Sequence, residues 1–230
     1  MRAREDAERT AARLAELGRE SVIAPVTEVV ATGAKAPPGP FDIVVATSAK
    51  AFDLLEASAR DPIAGLPLFV VGARTARAAA AKGLAIDEPA APDVVALVAR
   101  LSARRGAASR ALYLAGRDRK SDLESALAAA GHRVAVIEVY AARERPAWTG
   151  GEAGDVARCG AAMHYSARSA ALAARLAESA GIGDAFRSLR HVCISEDTAG
   201  PLRAAGIAGI HAARTPDEDA LFAALEIALG

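Results

Sequence analysis

The chain has 230 residues, 52% of them hydrophobic and only 4% aromatic, so its cores, one large or two small, must be filled by Ala, Val and Leu rather than by rings. Lys plus Arg and Asp plus Glu balance at 28 each, which excludes a global field that would recruit nucleic acid or an anionic membrane and leaves any anionic ligand to local groups. The apolar runs are far shorter than a membrane span and the charged N-terminal stretch has no signal-peptide core, so a cytoplasmic protein is expected.

In chain order, Asp6 to Leu17 carries apolar residues at helical spacing (Ala7, Ala11, Leu14, Leu17) and stops at Gly18. Ser21–Val30 reads as a strand bent at Pro25, and Gly33–Pro40 as a linker by composition. Phe41–Ser48 is a buried strand feeding a helix near Lys50; Leu66–Gly83 repeats that grammar with a tight turn at Gly72. Ala91–Leu101 is a helix, and Ala111–Tyr140 reads strand, turn at Gly116, helix, Gly131, strand. The last of these strands runs on through Val134–Glu144 into a polar bridge, Arg143–Gly151. The pattern then restarts: Cys159–Gly181 and Leu189–Gly206 each read as strand then helix, and Ile207–Leu229 as a short strand with a helix begun at Pro216-Asp217. Strands alternating with helices predict parallel sheets, hence α/β.

The chain also repeats itself. Thr47-Ser48 matches Tyr165-Ser166 (166 − 48 = 118), Gly72 to Ala76 matches Ser195 to Ala199 and Gly83 matches Gly206 (206 − 83 = 123), and Pro92 matches Pro216 (216 − 92 = 124). The remaining third is displaced: the helix ending at Gly131 matches the one ending at Gly18 (131 − 18 = 113). One unit is therefore split between the two ends of the chain. The expected domains are 1–28 with 152–230, and 40–136, joined by linkers 29–39 and 137–151 that cross side by side as an antiparallel pair. In the displaced third, Met1 falls where the turn begins, so the first strand is missing. A missing central strand would leave unpaired backbone groups, and a start upstream of Met1 is expected.

Neither a Walker-type phosphate loop, a G-x-G-x-x-G, an H-E-x-x-H nor a G-x-S-x-G occurs. His132, His164, His191 and His211 lack metal-ligand spacing and read as structural or surface residues; Cys159 and Cys193 read as buried reduced thiols. What recurs is small or hydroxyl residues where strands end and helices begin: Thr47, Ser48, Gly72, Thr75, Gly116, Ser166, Ser195 and Thr198. Each alone reads as an ordinary helix cap. Together they mark the carboxyl ends of strands in open α/β sheets, where ligands bind and helix N-termini offer free N–H groups to anions. Arg117, Arg119 and Arg168 stand where they could add charge-assisted contacts, or simply be solvated surface groups. Tyr140, the one phenol in the long crossing strand, is expected to face the cleft between the domains, or to cap a domain edge.

The pieces REDAERTA, FDIVVATSAKAF, FVVGARTA, LYLAGRDR, VIEVYAA, MHYSARSA and CISEDTA, in this order and spacing, resemble the uroporphyrinogen-III synthase family over essentially the whole chain. Met1 stands where that family has a Thr at a strand end, and Ala3 where it usually has Pro. The resemblance implies two α/β domains joined by a two-stranded ladder, a monomer, and no metal or organic cofactor. It implies closure of the linear tetrapyrrole hydroxymethylbilane to uroporphyrinogen III, with inversion of the last pyrrole ring and loss of water. It places Tyr140 as the hydrogen-bond donor to the departing hydroxyl. Two other readings stay open from the sequence: a non-catalytic, tetrapyrrole-binding regulatory domain, and a two-domain small-anion binding protein.

Overall fold

The computed structural model describes residues 4–105 and 108–230; Met1 and Ala3, on which the expected strand end falls, lie outside the described residues. The chain divides into two compact units, unit 1 formed by Met1–Glu28 with Arg143–Gly230 and unit 2 by Val29–Ala142. It opens with α1 (Arg4–Glu16), which ends at Gly18 in the left-handed region (φ 71°). It then enters unit 2 along β1 (Thr27–Ala31).

Unit 2 continues through β2 (Ile43–Ala46), the short helices α2 (Lys50–Asp53) and α3 (Ala57–Arg60), β3 (Leu68–Val70), α4 (Ala73–Ala81), α5 (Val94–Arg105), β4 (Arg110–Gly116), α6 (Asp122–Ala129) and β5 (Arg133–Glu144). The sheet order is β1-β5-β4-β2-β3, with β3, β2, β4 and β5 parallel. β1 lies beside β5 in the opposite sense: the Thr32 N–H donates to the Val139 carbonyl and the Arg145 N–H to the Val26 carbonyl, one index rising as the other falls. Strands buried on both faces need apolar residues at every position, and β2 reads Ile-Val-Val-Ala, all buried. Val44 and Ala46 face a cluster with Phe52, Leu112 and Ile137, whereas Ile43 and Val45 face Leu97, Leu101 and Leu127.

Unit 1 takes up the C-terminal end of β5 and continues through α7 (Gly150–Ala157), β6 (Ala161–His164), α8 (Ala167–Ser179), α9 (Gly183–Ser188), β7 (Arg190–Cys193), α10 (Glu196–Ala204), β8 (Ile210–Ala212) and α11 (Glu218–Leu229). β6, β7 and β8 form a parallel sheet in that order. One face packs on Leu172, Leu176, Phe186 and Leu202, the other on Leu14, Leu221 and Leu225.

Several sequence expectations are corrected here. Ser21–Val26 forms no strand, although its last two carbonyls, of Pro25 and Val26, accept from Arg145 and Trp148, and only Thr27–Ala31 is a strand. A strand needs a neighbour, and among the described residues no strand of unit 1 stands where β4 stands in unit 2. The polar bridge ends earlier than expected because α7 begins at Gly150, fixed by a capping box in which Thr149 and Glu152 exchange side-chain and backbone hydrogen bonds. Leu17, one of the apolar residues at helical spacing, is 55% exposed, and Cys159 is only half-buried, whereas Cys193 is buried with its thiol pushed up to about 11 by desolvation. No helix among the described residues is long and apolar enough to cross a membrane.

Candidate active site

In unit 2 the carboxyl ends of β3, β2 and β4 lie along one edge of the parallel sheet and bring Gly72, Thr47, Ser48, Gly116 and Arg117 to it, and Tyr140, within β5, lies opposite Gly116. Thr47 follows β2, and its hydroxyl lies 2.8 Å from the hydroxyl of Tyr113 on β4. Burial pushes the Tyr113 phenol above its ordinary range, so the pair acts as a neutral hydrogen-bonded link from the end of β2 to the middle of β4. Gly72 turns into α4 with φ 83°, but its N–H already donates to the Ala91 carbonyl at 2.8 Å, and Thr75 is buried in the first turn. Neither offers the free anion-binding group that the turn suggested.

The cations at this edge are compensated. The Arg117 Nε donates to Glu138 at 3.1 Å, and Arg119 donates to Glu138 at 3.2 Å, to Glu124 at 2.9 Å and to the Gly116 carbonyl at 3.1 Å. The hydrogen bond from Arg117, helped by Arg119, holds the Glu138 carboxyl below the usual carboxylate range against desolvation. An incoming carboxylate would meet both guanidinium groups as parts of this network. Tyr140 differs: its carbonyl accepts from the Arg117 N–H at 2.9 Å, yet its phenol has no hydrogen-bond partner among the described residues.

Unit 1 presents a second group at the ends of β6 and β7. The Ser166 hydroxyl caps α8 by accepting from the Ser169 N–H at 3.2 Å, and the Ser195 hydroxyl caps α10 by accepting from the buried Thr198 at 3.3 Å. Both are the ordinary caps that each position suggested alone. Arg168 reaches Glu144 at 3.4 Å, a carboxylate that Arg175 holds more closely at 2.7 Å. The repeat counterpart of Thr47, Tyr165, is likewise engaged: its phenol donates to Glu218 at 2.7 Å and lies 3.1 Å from Thr10. Burial alone would raise the Glu218 carboxyl, but Tyr165, Thr10 and Arg13 together hold it below its ordinary range. Sequence reasoning passed over Tyr113 and this Thr10–Tyr165–Glu218 set. Tyr113 could have been found, since it lies three residues before Gly116 in a strand already placed at the site; Thr10 and Glu218 have no local signal.

Two further features of unit 1 lie beside these strand ends. His164 and His191 are fully buried, with His164 Nε2 3.0 Å from His191 Nδ1 and His191 Nε2 2.8 Å from the Phe186 carbonyl. Because a carbonyl only accepts, His191 carries its proton on Nε2, His164 donates from Nε2, and His164 Nδ1 is left without a partner. Burial holds both imidazoles below their ordinary range, His164 most strongly. The second feature is a cavity of about 480 Å³ lined by Leu14, Ser21, Ile23, Cys159, Ala161 and Met163, between α1, the stretch after it and β6. Among the described residues, no cluster of His, Cys, Asp or Glu could hold a metal ion.

The sequence model of the family described as uroporphyrinogen-III synthase HemD matches residues 8–223. The chain belongs to the uroporphyrinogen-III synthase family. No curated protein sequence matches it significantly. Among solved structures it is similar to the uroporphyrinogen-III synthetase of Helicobacter pylori 26695, at 18% identity and a TM-score of 0.50, with 91% of this chain and 96% of that one covered. A mutant uroporphyrinogen-III synthase from the extremely thermophilic bacterium Thermus thermophilus is similar at 18% identity and a TM-score of 0.44, over 99% of this chain and 97% of that one. At these identities the Helicobacter likeness speaks for the fold alone: a mixed α/β chain with parallel sheets. The family supplies the activity. Uroporphyrinogen-III synthases are cyclising lyases of tetrapyrrole biosynthesis, and this chain is one of them.

Proposed function

We propose that this synthase closes hydroxymethylbilane with Tyr140 as the donor to the departing hydroxyl. The observation that carries this reading is the free phenol, held opposite the end of β4 by its own backbone, while the hydroxyls of Thr47 and Tyr113 and the guanidinium groups of Arg117 and Arg119 at that edge are engaged. Donation to the hydroxyl lets the C–O bond break as water leaves. A pyrrole nitrogen lone pair supplies the electrons, forming an electrophilic azafulvene. The substituted carbon of the terminal ring attacks that centre, and passage through a spiro intermediate inverts the ring. Holding the two ends of the substrate so that attack comes from that carbon is a positioning effect.

The acetate and propionate carboxylates of the substrate suit the strand-end set Thr47, Ser48, Gly72, Thr75 and Gly116 with Arg117 in unit 2, and Ser166, Arg168, Ser195 and Thr198 in unit 1. Helix N-termini supply positive dipole ends beside both groups. The engaged amide of Gly72 and the paired guanidinium groups assign most of this role to partial charges. Residues 1–28 with 152–230 make one domain and 40–136 the other, joined through 29–39 and 137–151 as a two-stranded antiparallel linker; the two compact units and the pairing of β1 with β5 support this division. The enzyme is read as a cytoplasmic monomer without cofactor or nucleic-acid partner, in keeping with its zero net charge. No observation favours a regulatory or small-anion binding role.

The test feeds hydroxymethylbilane to the protein and resolves the uroporphyrin isomers. Isomer III is expected, and isomer I alone would overturn the reading. Tyr140→Phe should lower turnover about 10- to 100-fold, at or below the low end of general acid assistance; unchanged turnover would remove Tyr140 from the mechanism.

A further inference from the structure

The pairing of β4 with β5 changes step at the site. Ala115 lies opposite Glu138, but the next residue, Gly116, lies opposite Tyr140, so β5 spends Val139 and Tyr140 where β4 spends one residue. This is a β-bulge, a device that re-aims a side chain at the rim of a sheet. The result lays the Tyr140 ring against the backbone of Gly116. A Cβ on Gly116 would stand 2.6 Å from Cε2, 2.7 Å from Cζ and 3.0 Å from Oη of Tyr140, nearer than carbon atoms can approach.

The glycine is not there for its backbone. Among the described residues nine glycines, from Gly18 to Gly230, adopt positive φ, and Gly116 is not one of them. Any L-residue could hold its conformation, so the space taken by the ring is what forbids a side chain. Relieving the clash means swinging the ring itself, because the backbone on either side is tied down. Arg117 N–H bonds the Tyr140 carbonyl, Arg119 bonds the Gly116 carbonyl, and Glu138 is gripped by both arginines. With no hydrogen bond on the phenol, packing holds the ring, against Gly116 and against the cluster that contains Leu114 and Ile137.

The internal repeat provides a natural control in sequence. At the offset of the displaced third, Ala3 corresponds to Gly116 (116 − 3 = 113) and Thr27 to Tyr140 (140 − 27 = 113). Where the large ring is replaced by a short side chain, the glycine is replaced by alanine.

We infer that Gly116 is a positioning residue for Tyr140, its bare Cα and the adjoining bulge seating the phenol across the end of β4. The inference rests on the reading of Tyr140 as donor. Its chemical effect is preorganisation: a donor set in place by packing needs no reordering when the hydroxyl begins to leave.

The test is Gly116→Ala in the full chain. Turnover should fall about 10- to 100-fold, as for Tyr140→Phe, with kcat losing more than KM, since Gly116 can offer substrate only its backbone, which alanine keeps. The double variant Gly116→Ala/Tyr140→Phe should be no slower than the slower single variant. Gly116→Ala should also lower the melting temperature, and combining it with Tyr140→Ala should remove that penalty, because the colliding ring is gone. Wild-type turnover in Gly116→Ala, losses that multiply in the double variant, or a melting penalty that persists alongside Tyr140→Ala would each overturn the inference. Should Tyr140→Phe itself turn over normally, the donor reading fails, and the melting experiment alone decides whether Gly116 seats the ring.

Discussion

Units 1 and 2 are built from one repeated pattern but resolve the centre of the sheet differently. In unit 2, β4 is flanked on both sides, by β2 and by β5, and Leu112 and Leu114 on it are fully buried. In unit 1, β6 matches β2, yet beside it lie a stretch that forms no strand and a cavity of about 480 Å³. At the 113 offset, Ser21–Val26 corresponds to Val134–Val139 (134 − 21 = 113), the part of β5 that pairs with β4. The same type of sequence is therefore strand in one unit and coil in the other. An apolar, β-branched run is a capacity to pair, which only a neighbouring strand realises.

The largest effect that could break this comparison is a core truncation. Leu112→Ala should cost about 2–5 kcal/mol in urea unfolding, as for other fully buried leucines, and Met163→Ala beside the cavity distinctly less. Equal losses would mean that the two sheet centres are packed alike. Acid should come next. His164 and His191 are held neutral in the folded unit 1, so the unfolded chain binds more protons below about pH 6.5, the ordinary imidazole range. Stability should therefore fall as pH drops through that value, by up to about 1.4 kcal/mol per pH unit for each ring. Trp148, the chain's single tryptophan, is buried in the same core and reports on unit 1; a fluorescence melt unchanged between pH 7 and pH 5 would contradict the buried pair.

A smaller effect is expected at the start of α7. Thr149→Ala should cost about 1 kcal/mol, the worth of an N-cap. Its partner Glu152 is held at about 2 by the hydrogen bond from Arg145, so its contribution is present above about pH 4.5 and lost as pH falls from there towards 2. A Thr149→Ala chain as stable as the parent would remove the cap as the reason α7 begins there. Finest of all is hydrogen exchange. The Arg190 N–H bonds the Gly160 carbonyl, so by the alternation of a parallel pair the Ala161 N–H points away from β7. It should exchange through local opening, well before the amides of Leu112 and Leu114. Equal protection would place a strand against the outer edge of β6.

Much of the fold was legible because alternation of buried strands and Gly-ended helices is a local signal. Gly18, Gly83, Gly131 and Gly206 all take positive φ at helix ends. α7 was legible in principle, since Thr149 and Glu152 spell a capping box, but the surrounding polar residues read as a linker. The absence of a strand in Ser21–Val26 was not legible, because it depends on what lies beside the segment. At the site, Tyr140 and Gly116 were visible separately. Their contact was not, because it turns on a one-residue slip in register that no composition reveals. The compensation of Arg119 by Glu124 and Glu138, and the bond from Tyr165 to Glu218 across 53 residues, likewise exist only after folding.

The division of the chain also sets an order of assembly during synthesis. Unit 2 is contiguous from Val29 to Ala142, so it can close as soon as it has left the ribosome. Unit 1 cannot: α1 emerges before unit 2, and the ion pair of Arg13 with Glu218 joins residues 205 positions apart. A helix made before all of unit 2 is thus among the last to find its place, and until then its apolar face stays open to chaperones.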